Sequence, residues 1–178
     1  MDNSTPIFIG NVVMLFGAVF LLLSGIAKDN KSMIKCFIVE TLIYTVGSIF
    51  LFTFPGFINN LSSCIRNVLC YKDKLKAPAK IMLAVISIGL TICCNNLGVL
   101  GYLPLVSTLL YIIFIDVKSI VVLRCINILS SALWIIHDIY VMSYVTVGIG
   151  MAYLLINLFF IAKTFRLLKL GNVAIKRS

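Results

Sequence analysis

Seven apolar stretches, separated by short polar or glycine-containing breaks, occupy almost the whole chain. Most approach the roughly 20 residues that an α-helix needs to cross the hydrocarbon core of a bilayer. The breaks contain residues that end helices, such as Pro55-Gly56 and the segment 95–98. The pattern predicts seven transmembrane helices, over residues of about 6–27, 33–54, 56–71, 79–97, 99–116, 119–142 and 145–165.

The third predicted helix differs from the others because it is short and rich in polar side chains. It carries Asn59, Asn60, Ser62, Ser63, Arg66 and Asn67. Lipid cannot satisfy these groups, so we expect this helix to be buried among the other six.

The basic residues fall in alternate segments along the chain. All 15 lysines and arginines lie in or beside four segments. These are the connections between predicted helices 1 and 2, helices 3 and 4, and helices 5 and 6, and the end of helix 7 with the tail that follows it. Cytoplasmic segments of membrane proteins carry such an excess of basic residues. We therefore predict that the N-terminus lies outside and the C-terminus lies in the cytoplasm.

Residues 11–73 overlay residues 101–163 with matching helix boundaries, at an offset of 90. The overlay pairs Tyr44 with Trp134 and Asn67 with Asn157, although identity is no better than chance. It predicts two parallel three-helix repeats joined by a linker helix, a three-plus-one-plus-three plan known among transporters. The units are residues 1–71, the loop and linker helix 72–98, residues 99–165, and a basic cytoplasmic tail 166–178.

Polar side chains recur about four residues apart within the apolar helices, so they share helix faces. We interpret them as the wall of a hydrated central cavity, because a lipid-facing position would leave them unsatisfied. In this interpretation the aromatic rings are flat walls, the Asn residues are hydrogen-bonding groups, and the ionisable groups are candidate proton carriers. The predicted substrate-binding residues are Trp134, His137, Asp138, Asn157, Asn67, Tyr44, Ser130 and Glu40.

Other interpretations of these residues remain open. The Ser, Asn and His side chains are also typical of hydrogen bonds between helices that bind no ligand. His137 and Asp138 lie near the outer end of helix 6, where water can solvate them and Trp134 can belong to an interfacial aromatic belt. Glu40 and Arg124 lie near the cytoplasmic face and can pair with each other or extend towards water.

Composition supports a protein that lies almost wholly within the membrane. The chain has 178 residues, of which 61% are hydrophobic and only 12% charged, about half the charged fraction of a soluble domain. The net charge of +9 resides at helix ends and not on a folded basic face, so nucleic-acid binding is not expected. The lipid bilayer is the expected partner, and association into a homo-oligomer is left open.

The sequence favours neither an enzyme nor a metal protein. His137 has no second ligand at metal-binding spacing, and no hydrolase motif occurs, so no metal or other cofactor is expected. The six cysteines lie in or beside apolar segments and are interpreted as small apolar filler in a reduced setting. The first six residues contain no basic side chain, so the first apolar stretch is interpreted as a retained helix and not a signal peptide.

The string RCINILSSALWIIHDIY, residues 124–140, resembles the YgjV family of small bacterial inner-membrane proteins. The family pattern of Arg-Cys, a Ser/Thr pair and Trp-x-Ile-His followed by Asn or Asp is matched in order. The segments LPLVSTLLYIIF (103–114) and NLSSCIRNVLCYK (60–72) also resemble the family. The resemblance implies a bacterial inner-membrane location.

A looser similarity extends to the SWEET, PQ-loop and PnuC transporters, which share the three-plus-one-plus-three plan. In SWEETs an Asn on each third helix and an aromatic residue or Ser on each second helix line the sugar pocket, and Asn67, Asn157 and Trp134 fall on the corresponding helices. We therefore predict a transporter of a small polar solute that alternates access between two three-helix bundles. KDEL receptors share this fold class without transporting, so a receptor or assembly factor is the alternative.

Overall fold

A computed structural model describes the backbone of residues 4–175 and the side chains of residues 5–166. Its secondary structure over these residues is entirely helical. The helices are α1 Ser4–Ile26, α2 Asn30–Phe50, α3 Phe54–Tyr71, α4 Ala77–Cys94, α5 Leu103–Phe114, α6 Ile120–Tyr140 and α7 Tyr144–Ile175, with a 3-10 helix at Gly98–Tyr102 leading into α5. The predicted all-α class with seven helices is confirmed.

Local capping interactions set where these helices begin. Asp29 accepts a hydrogen bond from the Ser32 backbone N–H at the start of α2, and Thr53 and Ser119 cap α3 and α6 in the same way. Bonds from the Ser32 backbone and hydroxyl also lower the pKa of the Asp29 carboxyl from its ordinary value. Prolines occupy the first turns of α3, α4 and α5, where a missing N–H costs nothing.

Several predicted boundaries shift for these reasons. Helix α2 starts at Asn30 and ends at Phe50, earlier than predicted at both ends, because Asp29 caps it and Phe52 turns into the left-handed region at φ 51°. Helix α7 continues to Ile175, because residues 163–170 contain neither Pro nor Gly. Much of the predicted tail 166–178 is therefore helical backbone, and Lys176 and Arg177 lie outside the described residues.

Among the described residues, five helices are long and apolar enough to span a membrane: α1, α2, α4, α6 and α7. Residues Gly98–Phe114 form a shorter apolar segment. Helix α3 buries its polar face against the other helices, including Asn59, Asn60, Ser63, Arg66 and Asn67. These features define a polytopic helical membrane protein, while membrane crossing by α3 and α5 stays a prediction.

Six helices form a closed ring in the order α1, α2, α3, α5, α6, α7, with α7 packed back against α1. Helix α4 lies outside this ring and contacts mainly α3 and α5. The outer face of α4 exposes apolar side chains such as Ile81 and Val85, which suits contact with lipid. The ring therefore surrounds the centre of the molecule.

The connections meet at two ends of the bundle. At the basic end, which we define as the connections 27–29, 72–76 and 115–119, Asn30 Nδ2 donates to the Val117 carbonyl at 2.8 Å and Lys80 pairs with Asp116 at 2.7 Å. At the opposite end, defined as the connections 51–53, 95–97 and 141–143, Asn96 donates to the Phe52 carbonyl at 2.9 Å. The positive side chains of the connections thus share one end, and membrane orientation stays a prediction.

Backbone features recur at a spacing of 90 residues. Helices α2 and α6 start at residues 30 and 120 and end at residues 50 and 140. Each is followed by three backbone hydrogen bonds that return to the last turn of the helix and by a non-glycine residue in the left-handed region, Phe52 (φ 51°) and Met142 (φ 58°). Helix α3 ends in the same way at Asp73 (φ 54°), but residue 163 lies within α7 and has no such turn. The division into two parallel repeats and a linker stays a prediction that these matches support.

Candidate functional site

A central cavity of about 80 Å³ lies inside the helix ring, and all six ring helices contribute to its wall. Because a buried water needs roughly 10–15 Å³ on this scale, the cavity has room for several waters or a small polar group. Six of the eight residues predicted from the sequence lie on its wall: Glu40, Tyr44, Asn67, Ser130, Trp134 and Asp138. Ligand binding by these residues stays a prediction.

Glu40 lies in the middle of α2 and is 8% exposed. Among the described residues its carboxylate forms neither a hydrogen bond nor an ion pair. The alternative interpretation, pairing with Arg124, is wrong, because Arg124 binds the carbonyls of Gly25 and Ala27 instead. Glu40 is therefore an acidic group that faces the cavity without a protein partner.

Arg66 is the basic residue on the cavity wall. Its Nε and Nη2 atoms donate to Asn67 Oδ1 at 3.1 and 2.8 Å, and its guanidinium carbon lies 4.7 Å from the centre of the Tyr111 ring. These contacts hold the guanidinium on the α3–α5 side of the cavity and occupy the Asn67 oxygen. The Asn67 Nδ2 group is left buried without a partner.

Two tyrosine hydroxyls on the cavity wall are also buried without a partner, those of Tyr44 and Tyr153. Most buried polar groups in proteins are satisfied, so each exception needs an explanation. Together with Asn67 Nδ2, these hydroxyls provide hydrogen-bonding capacity that the protein does not use. Each of these atoms has almost no accessible surface in this conformation, so water or a ligand can reach it only after the side chains around the cavity shift.

Trp134 and Asp138 lie one turn apart on α6 and both border the cavity. Trp134 is partly exposed and meets the His137 ring edge-on, with 5.4 Å between ring centres and 85° between planes. Ser130, one turn before Trp134, is hydrogen-bonded to Ser107 on α5. The Ser130 hydroxyl thus joins α5 to α6 while lying on the cavity wall.

The structure places His137 off the cavity wall, and its part in ligand binding stays a prediction. Its ring is 1% exposed, with Nε2 hydrogen-bonded to Thr53 Oγ1 at 3.2 Å and Nδ1 to Asp138 Oδ1 at 3.0 Å. It joins the end of α6 to the connection between α2 and α3. His137 therefore fits the alternative interpretation, hydrogen bonding between segments of the protein, because both ring nitrogens already have protein partners.

Asn157 also lies off the cavity wall. Its Oδ1 atom accepts from Arg124 at 3.1 Å and from Asn127 at 3.3 Å, and its Nδ2 donates to the Tyr153 carbonyl at 2.9 Å. This network fixes α6, α7 and the end of α1 together, and it is buried from the cavity. Asn157 supports the site from behind and does not face it.

An apolar cluster closes the cavity towards the basic end. Met33, Phe37, Leu123 and Tyr153 are buried together, and the Phe37 and Tyr111 rings meet edge-on with their centres 5.9 Å apart. Beyond this cluster a second pocket of about 370 Å³ lies among the connections of the basic end, including Asn30 and Val117. We call Met33, Phe37, Leu123, Tyr153 and Tyr111 the apolar plug.

Tyr111 is a wall residue that the sequence predictions missed. Its hydroxyl donates to Asn127 Oδ1, and its ring supports the Arg66 guanidinium. The available signal was the spacing of Ser107 and Tyr111, four residues apart on α5 and thus on one face. That signal was hidden because a tyrosine in an apolar run is usual in a membrane helix.

Metal-binding groups do not cluster in the part of the chain that the structure describes. No three His, Cys, Asp or Glu residues come together there. The six cysteines are unpaired, and three of them, Cys93, Cys94 and Cys125, are exposed on helix surfaces. The polar cavity is therefore the candidate site.

The fold and cavity define a polytopic helical membrane protein with a polar interior. Residues 8–167 match the family model Imp-YgjV, described as a bacterial inner membrane protein. The match covers most of the chain, so the protein belongs to this family and is an integral, multi-pass bacterial inner-membrane protein. No curated protein and no solved structure matches the chain significantly.

Proposed function

We propose that the protein transports a small polar solute across the bacterial inner membrane without chemically changing it. The observation that carries this proposal is the polar cavity enclosed by the helix ring, with Tyr44, Tyr153 and Asn67 groups left without protein partners. Membrane transporters place their solute sites in such cavities between two structural repeats. Groups left unsatisfied in a buried site are costly unless water or a ligand binds them.

The two halves that would move against each other are α1–α3 and α5–α7. The recurrence of caps and left-handed residues at a spacing of 90 supports two related halves of the same orientation, with α4 as the linker. Apart from α4, the main contacts between the halves are α3 with α5 and α7 with α1. Two interfaces on opposite sides of a cavity suit a rocking motion about it.

The proposed resting state is closed towards the cytoplasm. The apolar plug separates the cavity from the basic end, and Asn30 on α2 bonds to Val117 before α6, across the two halves. We place the basic end in the cytoplasm, with the N-terminus outside, because cytoplasmic connections carry the positive charge. Transport then requires the plug to open and the Asn30–Val117 contact to break.

The first experiment is a thermal-stabilisation screen of purified protein against sugars, nucleosides, vitamins, amino acids and amines, followed by uptake of each hit into proteoliposomes.

The second experiment tests the motion with pairs of introduced cysteines, in a protein from which the six native cysteines have been removed. A thiol cross-linker joins residues 30 and 117, across the halves. The matched control joins Lys31 and Asp73, which approach to 4.0 Å at the same end and link the first half to the connection directly after it, not to the second half.

We expect the cross-link between residues 30 and 117 to abolish uptake and the control cross-link to leave it intact. Uptake through the locked protein would contradict the rocking mechanism. A hit that binds but never enters proteoliposomes would favour the alternative, a receptor or assembly factor. Such a receptor would present the same cavity without needing the basic end to open.

A further inference from the structure

The charge of the cavity wall indicates the class of solute. Two carboxylates, Glu40 and Asp138, and one guanidinium, Arg66, lie on it. Asp138 Oδ1 is hydrogen-bonded to His137 Nδ1 at 3.0 Å. Glu40 has neither a hydrogen bond nor an ion pair among the described residues, so no direct contact compensates its charge.

Arg66 does not compensate Glu40 directly. It forms no ion pair with Glu40, and its guanidinium is bound to Asn67, to the Tyr111 ring and, weakly at 3.5 Å, to the Thr108 carbonyl. These contacts fix Arg66 on the α3–α5 side and use most of its donors. A negatively charged solute would need those donors, whereas a positively charged one would need only Glu40.

An ionised carboxylate without a partner is costly in the interior of a membrane protein. Either a proton or a bound cation removes this cost. The cavity wall around Glu40 includes the rings of Phe37, Tyr44, Tyr111, Trp134 and Tyr153. Aromatic faces attract organic cations through their quadrupoles and do not attract anions in this way.

We propose that the cavity binds a small organic cation, with an ammonium or guanidinium group paired to the Glu40 carboxylate and the rings of Tyr44 and Trp134 as walls. The Tyr44 hydroxyl, which has no protein partner, can turn towards the bound solute and accept a hydrogen bond from its N–H or O–H group. This inference deepens the proposed transport function and rests on it for the role of the cavity. It assigns Glu40 as the solute's counter-ion.

The test compares cations with uncharged molecules of the same shape. Guanidinium is paired with urea, and choline is paired with 3,3-dimethylbutan-1-ol. Each is titrated into the full-length purified protein at constant ionic strength while the Tm is recorded. We expect at least one cation to raise the Tm in a saturable way and its neutral counterpart to leave it unchanged.

Variants then assign the effect to Glu40. Glu40→Gln keeps the shape and removes the charge, so we expect about thirtyfold weaker cation binding, as for other buried charge pairs. Glu40→Asp keeps the charge and should retain the preference for the cation, which decides the matter if Glu40→Gln does not fold. The matched control is Asp73→Asn, an exposed acid at φ 54°, a conformation that Asn adopts readily.

Three outcomes overturn the inference: neutral molecules stabilise as well as cations, Glu40→Gln binds the cation normally, or the folded protein responds to neither cation. Uptake into proteoliposomes distinguishes failure of the cation site from failure of the proposed transport function. A cation that binds through Glu40 and is not transported leaves the cation site standing and refutes transport. Uptake of an uncharged or anionic solute, with no cation bound, supports transport and refutes the cation site.

Discussion

Arg124 stabilises the end of α1 from a distance of about a hundred residues. Its Nη1 atom donates to the Gly25 carbonyl at 2.8 Å and its Nη2 atom to the Ala27 carbonyl at 2.9 Å. The last carbonyls of a helix have no partner within it, so the guanidinium caps α1. We predict that Arg124→Met destabilises the protein, because methionine replaces the apolar stem and none of the donors.

The magnitude follows from these two bonds and from the third that Arg124 donates, to Asn157 Oδ1 at 3.1 Å. A hydrogen bond to a charged group contributes about 1.5–3 kcal/mol net. The Gly25 bond is buried and counts fully, whereas the Ala27 bond is partly exposed, so water replaces much of it. Relief of the guanidinium's own desolvation offsets part of the loss. The expected cost is about 2–3 kcal/mol, or roughly 5–10 °C in Tm for a chain of this size.

The assay is thermal unfolding in detergent, followed by intrinsic fluorescence of Trp134 and the tyrosines. The Tm of Arg124→Lys should lie between those of the wild type and Arg124→Met, because one ammonium cannot reach both carbonyls. Lys118→Met is the matched control, since it removes an exposed charge just before the same helix, with an expected effect within about 0.5 kcal/mol. If Arg124→Met unfolds at the temperature of this control, the capping argument is wrong.

Three further predictions concern the cavity, the packing and the topology. Trp134→Ala should abolish stabilisation by any cavity ligand while lowering the Tm of the free protein only slightly, because Trp134 is a partly exposed wall residue; normal ligand binding would contradict this. Gly17→Ala should lower the free energy of unfolding by about 1–3 kcal/mol, because the added carbon would lie 2.7 Å from a facing tyrosine ring. The control Gly89→Ala has nothing within 4 Å of the added carbon and should leave the Tm unchanged or slightly higher. Reporter fusions after Lys74 and Arg177 should both report the cytoplasm, and opposite locations would refute the predicted orientation.

The number and order of the helices were predictable because each depends on a long apolar run. Helix ends were less so, since they depend on single contacts such as the Asp29 cap and on the left-handed turn at Phe52. Nothing in local sequence requires a phenylalanine to adopt that turn. It is imposed by the hydrogen bonds that end α2 and start α3.

The cavity wall was predictable where a polar stripe occupies the inner face of a helix, as Glu40 and Tyr44 do on α2. It was not predictable where neighbouring helices decide which polar group turns inward. Asn67 and Asn157 occupy equivalent positions in the overlay, yet Asn67 lines the cavity and Asn157 binds Arg124. No sequence pattern predicts the contact between Asn157 and Arg124, because the two residues come from different helices.

The Arg124 cap has a consequence for biosynthesis. Its acceptor Gly25 precedes it by 99 residues, and at translation rates of about 5–20 residues per second the first helix waits roughly 5–20 s for its cap. Contact of α1 with α7 comes later still. During that interval the carbonyls of Gly25 and Ala27 need water, so the nascent first helix must keep this end at the membrane surface until the later helices arrive.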